Sequence, residues 1–127
     1  MQTRTIKLNE GKENEKDFTF ICAYRSNRSG FVHECELKIG AQTFESKCQY
    51  YNRTWERYTY QTVMFSALSY YKDYIVSRLK EDFLDLKGYK KMTSKIKPEF
   101  EKLLAENPIM KEIAEVRKEL DQNNTWW

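Results

Sequence analysis

Three successive stretches of this chain alternate apolar and polar positions with a period of two. Residues 18–25 place Phe18, Phe20, Cys22 and Tyr24 on one face, and residues 31–39 do the same with Phe31, His33, Cys35, Leu37 and Ile39. Residues 44–50 follow with Phe44, Ser46, Cys48 and Tyr50. Such alternation predicts half-buried strands. Ser26-Asn27-Arg28-Ser29-Gly30 has the composition of a tight turn, and Gly40-Ala41 suits a two-residue hairpin loop with Gly first. Folding about these turns sets Cys22 opposite Cys35, Phe20 opposite Leu37, Leu37 opposite Phe44, Cys35 opposite Ser46 and His33 opposite Cys48. Every pair joins like face to like face, so one register satisfies all three strands. Residues 3–8 add a fourth strand. The other face carries Thr19, Glu34, Glu36, Lys38, Thr43, Glu45, Lys47 and Gln49, so only one side of this antiparallel meander is covered.

The cover begins at Asn52, a good helix N-cap. No Gly or Pro interrupts the chain from Arg53 to Lys87, and Tyr60, Met64, Ala67, Leu68, Tyr71, Ile75, Leu79 and Phe83 recur at helical spacing. An unbroken helix of that length runs ~50 Å. A seven-residue strand spans only ~23 Å. The helix must overhang the sheet, break, or find another partner. Gly88 suits a C-cap. Pro98 opens a short apolar stripe of Phe100, Leu103 and Leu104, and Asn107-Pro108 restarts the chain as a second short helix. Its seam of Ile109, Ile113, Val116 and Leu120 is narrow enough to dock on one neighbouring helix or on a second copy of the chain, as in a homodimer. The predicted fold class is α+β, one domain over residues 1–127. The antiparallel sheet takes residues 1–51, the long helix 52–87 and the C-terminal helical pair 95–121.

Composition narrows the function classes. The 127 residues are 40% hydrophobic and 32% charged, with a mean hydropathy of −0.84. No apolar run approaches the ~20 residues of a membrane-spanning helix, and Met1-Gln2-Thr3-Arg4-Thr5 opens no signal or transit peptide. Three cysteines, an odd number, point to a reducing, cytoplasmic setting. Twenty-two basic against 19 acidic side chains give a net charge of only +3. Local clustering matters more: five lysines (Lys87, Lys90, Lys91, Lys95, Lys97) fall within eleven residues that hold no acid.

Two constellations suggest chemistry and fall short of it. Cys22, Cys35, Cys48 and His33 share the inward face, but zinc sites draw ligands from tight Cys-x₂₋₄-Cys knuckles, and each strand here supplies a single Cys. Core packing accounts for them better. Glu36-Leu37-Lys38 has the form of the Glu-x-Lys element of Mg²⁺-dependent nucleases, which needs a second carboxylate on the same ion. Asp17 shares that face but lies ~13 Å away along the strands. The residues therefore point to no catalytic group, no metal ligand and no cofactor.

The segment Tyr50-Tyr51-Asn52-Arg53-Thr54-Trp55-Glu56-Arg57-Tyr58 is the most distinctive. Arg53 and Arg57 lie one helical turn apart beside Tyr58 and could take a phosphate or stack on a base. Tyr24-Arg25-Ser26-Asn27-Arg28-Ser29-Gly30-Phe31-Val32-His33-Glu34-Cys35, followed by Asn52-Arg53-Thr54-Trp55-Glu56-Arg57-Tyr58, resembles small proteins of Gram-positive phages, plasmids and integrative elements, over residues 18–68. The resemblance implies a setting in the host cytoplasm in which small proteins act by binding, including anti-defence inhibitors of the anti-CRISPR kind. The expectation is a non-enzymatic protein that acts stoichiometrically on a host protein or nucleoprotein complex through Arg25, Arg28, Arg53, Arg57 and Tyr58. The alternative is direct binding of DNA or RNA by the same arginines with Lys87, Lys90 and Lys91, and a more distant one is a Mg²⁺ nuclease using Glu36 and Lys38.

Overall fold

A computed structural model describes residues 2–27, 30–50 and 56–122, and for 27, 48–50, 56–59 and 122 it describes the backbone alone. The four strands are β1 (Gln2–Leu8), β2 (Lys16–Asn27), β3 (Gly30–Ile39) and β4 (Gln42–Tyr50). They form one antiparallel sheet in the order β1-β2-β3-β4. All five cross-strand pairs set by period-two matching are present: Cys22 with Cys35, Phe20 with Leu37, Leu37 with Phe44, Cys35 with Ser46 and His33 with Cys48. The β3–β4 hairpin closes at Ile39 and Gln42. Gly40 takes φ +59° while Ala41 stays at negative φ, the backbone of a loop whose first central residue must be Gly. β2 is longer than its alternation suggested, because Lys16 and Asp17 pair with Leu8 and Lys7.

Helix α1 (Glu56–Lys87) is continuous for 32 residues and lies over β3 and β4. The expected N-cap Asn52 and the first helical turn from Arg53 fall outside the described residues. Tyr60 packs edge-on against His33, and Tyr74 reaches the Gln42 side chain at the opposite end of the sheet. From there α1 overhangs. It ends at Gly88, φ +76°, where the Gly88 N–H donates to the Asp85 carbonyl and the Tyr89 N–H to the Leu84 carbonyl. That paired arrangement closes a helix with a left-handed residue, the role expected of this glycine.

Helix α2 (Lys97–Glu106) packs under the overhang, and α3 (Pro108–Gln122) returns along α1 over the β1–β2 half of the sheet. The Asn107 side chain separates them by accepting the Ile109 N–H at 2.9 Å, an N-cap directly before Pro108. The Ile113–Val116–Leu120 seam is buried in the main core within this chain, beside α1. Two ties hold α3 to the first hairpin: the Arg4 guanidinium donates to the Glu119 carbonyl at 3.1 Å, and Lys16 pairs with Glu112 at 2.8 Å.

The main core gathers Phe18, Phe20, Cys22, Cys35, Leu37, Met64, Ala67, Tyr71, Val116 and Leu120 between sheet and helices. A separate small core joins Phe83, Ile96 and Phe100 beneath the overhang. No described helix is long and apolar enough to cross a membrane.

Candidate functional site

The architecture decides which candidate residues can act together. The β2–β3 ladder runs out to Asn27 and Gly30, whereas β4 stops opposite Phe31, and β1 reaches only to the level of Cys22. The β2–β3 hairpin therefore projects beyond β1, while β4 accompanies it to Phe31. α1 starts six positions after β4 ends, at the same end of the sheet. Position 25, on β2, and position 57, in the first turns of α1, thus lie toward the same end of the sheet. Arg25 is described in full, and it donates to Glu34 at 2.7 Å while keeping 60% of its side chain exposed. Arg28 and Arg53 lie outside the described residues, and for Arg57 and Tyr58 only the helical backbone is described.

Lys87, Lys90 and Lys91 are at the other end of α1. Thirty residues of helix separate position 57 from position 87, ~45 Å at 1.5 Å per residue. Lys87 pairs with Glu99 at 2.7 Å, and its ammonium also lies 5.9 Å from the Phe83 ring centre. Lys90 and Lys91 are exposed. The arginine and lysine groups are consequently two surfaces rather than one.

The inward cysteines and histidine meet as the register requires. The Cys22 thiol donates to the Cys35 sulfur at 3.2 Å, and both thiols are free and buried. The close Cys22 thiol, followed by burial, pushes the Cys35 thiol well above its ordinary range, so it stays protonated. His33 is fully buried between the Tyr24 and Tyr60 rings, at centroid distances of 4.9 and 4.3 Å. Burial lowers its pKa to about 4, so it is a neutral ring at physiological pH. Among the described residues no three His, Cys, Asp or Glu side chains are placed to hold a metal ion. The fourth member of the set, the Cys48 side chain, lies outside the description.

On the open sheet face Glu34 is bridged by Arg25 and, at 3.3 Å, by Lys47. Glu36 stands opposite both Ile21 and Glu45. Asp17 pairs instead with Lys7, four residues along β2 from Ile21, which keeps it away from Glu36 as strand spacing requires. The Glu36–Lys38 element has no described second carboxylate at cation-sharing range except Glu45 directly opposite. Like charges so placed repel unless something sits between them.

No protein-family model, curated protein or solved structure matches this chain. Its function rests on its own surfaces. Two of these carried no strong sequence signal: the outer edge of β4, with Glu45 and Lys47, and the half-exposed Tyr70 of α1 beside it. The alternation in β4 already placed Glu45 and Lys47 on the polar face. The meander set by the two turns also placed this strand last in the sheet, as it is.

Proposed function

We propose that this chain is a non-enzymatic binding protein that occupies a host protein or nucleoprotein complex through the arginine end of the sheet. The observation that carries the reading is topological: the open end of the β2–β3 hairpin, the end of β4 and the start of α1 share one end of the sheet, the end toward which Arg25 and the helical positions of Arg57 and Tyr58 lie. Arginines beside aromatic rings are the residues that most often anchor protein interfaces. A guanidinium also suits carboxylate and phosphate partners equally well. The resemblance to small phage and mobile-element proteins supports an anti-defence role for that occupancy.

The test is plating efficiency of a phage on a defended bacterial host expressing either the wild-type chain or a variant with all four arginines changed to Ala. The wild type should restore plating and the variant should lose at least tenfold of that effect. A quadruple variant that protects as well as the wild type removes the arginine end from the mechanism.

Direct nucleic-acid binding is the second reading, favoured by the exposed Lys90 and Lys91 at the far end of α1. It predicts affinity for DNA or RNA that falls steeply as salt rises, because each phosphate contact releases a counterion. The ~45 Å between the two basic ends makes them separable. Lysine variants and arginine variants should then weaken binding independently.

A further inference from the structure

β4 is an edge strand, and among the described residues no strand neighbours its outer side. We propose that two copies of this chain join antiparallel through β4, centred on Ser46, to make one eight-stranded sheet with both helical layers on the same side. This interface is the outer edge of β4 and does not rest on the proposed arginine contacts.

Register and charge together favour this pairing over its neighbours. A two-fold axis perpendicular to the sheet keeps inward residues inward, so directly opposed residues must share a face and their numbers must sum to an even value. Centring on Glu45 sets that carboxylate against its own copy, and centring on Lys47 sets two ammonium groups together. Like charges directly opposed are destabilising. Centring on Ser46 instead sets Glu45 opposite Lys47 of the second copy, twice over. Ser46 is also the middle residue of the nine in Gln42–Tyr50, so the same register overlaps the whole strand. Glu45 is exposed and Lys47 keeps 60% of its side chain exposed, which leaves both able to reach across.

The helices fit the same joint. α1 lies over β3 and β4, so its axis is set about half a strand spacing inside the edge. Two such axes across a β4–β4 joint fall about two spacings apart, ~9.6 Å at 4.8 Å per strand. Packed helices prefer axes ~8–10 Å apart. The Ser46 hydroxyl donates to the Val63 carbonyl, which puts the middle of β4 under the turn of α1 that carries Ser66. Thr62, Ser66 and Tyr70 form a row at four-residue spacing along the flank of α1 above this edge. Small side chains at the centre let the helices approach. Tyr70, 52% exposed, is a large ring that the joint would cover. A cleft of about 470 Å³ now lies between Tyr70 and the β4 edge, walled by Glu34, Glu36, Glu45, Ser46 and Lys47.

Molar mass by light scattering gives the test. The wild type should run at twice 15.4 kDa. Lys47→Glu and Glu45→Lys, each alone, should weaken dimerisation on the order of tenfold, since both contacts turn from attractive to repulsive. Mixing the two variants should restore a dimer, because every joint then pairs a carboxylate with an ammonium. Loss of the Lys47–Glu34 contact within one chain cannot produce that rescue. Independently of any variant, hydrogen exchange at the outward-facing β4 amides should speed up on dilution of the wild type. A wild type that stays at 15.4 kDa at millimolar concentration overturns the proposal. So do single variants as dimeric as the wild type, a mixture that fails to pair, or β4 exchange indifferent to dilution.

Discussion

The two halves of α1 belong to one uninterrupted helix and live in different environments. The first half rests on the sheet and on α3, and contributes Val63, Met64, Ala67, Leu68 and Tyr71 to a core shared by β1, β2, β3 and α3. The second half leaves the sheet near Tyr74 and contributes Phe83 to a small core with Ile96 and Phe100. Around that small core Val76, Leu79, Leu84, Met92 and Leu104 are only partly buried, and Leu86 is 86% exposed. Helical propensity is similar along the rod, so the contrast comes from what each half packs against. The sheet-backed half should unfold with the whole protein. The overhanging half and α2 should open locally at lower cost.

The sharpest way to break this contrast is in the main core. Phe20 is fully buried opposite Leu37, and Phe20→Ala should cost ~3–5 kcal/mol of global stability. In urea titration the whole transition should move together, helices and sheet alike.

His33 should give the next largest effect, through pH. Folded, it binds a proton only near pH 4, against 6.5 for an unperturbed side chain. Between these values the unfolded chain holds more protons than the folded one, so stability rises with pH across that window and is lost as pH falls through it. The loss amounts to at most ~3 kcal/mol by pH 4. Carboxylates add a slope of the same sign, so the comparison is with His33→Leu, whose stability curve should be flatter between pH 6.5 and 4. Equal slopes in the two proteins would remove His33 as a contributor.

Phe100→Ala should cost less, roughly 2 kcal/mol, because its half-open surroundings can collapse onto the gap. Its signature is where the loss falls: faster hydrogen exchange in α2 and the end of α1, with main-core amides unchanged. Uniform loss of protection across the sheet would mean that the two cores are one cooperative unit.

Gly88→Ala should have the smallest effect, ~1 kcal/mol, from forcing a Cβ into positive φ. No atom lies within 4 Å of the added carbon, so the cost is conformational and not steric. It too should appear in exchange at the overhang before it appears in the global melting curve.

Much of the fold was legible because two-residue loops and period-two alternation leave one consistent register. A slip of one residue would turn Phe20 and Leu37 to water. The apolar stripe of α1 was equally plain. Its partner was not: spacing shows that a face is buried, never against what. The same limit applied to the Ile109–Leu120 seam, which suits a second copy and a neighbouring helix equally and is buried here within the chain. Val32 is buried although it alternates onto the polar face, and sequence gave no sign of that. Of the candidate site, the ion pair between Arg25 and Glu34 follows from the hairpin register. The separation of the arginine and lysine groups depends on α1 being continuous, which composition permitted without requiring.

The ties from Arg4 to Glu119 and from Lys16 to Glu112 span 115 and 96 positions of sequence. During synthesis the hairpins and α1 emerge first, yet the β1–β2 side of the sheet lacks its roof until α3 has left the ribosome. At ~5–20 residues per second that wait lasts seconds. For that interval the nascent chain presents Phe18 and Phe20 to chaperones, so a stop codon placed just before Pro108 should send the product to aggregation or proteolysis.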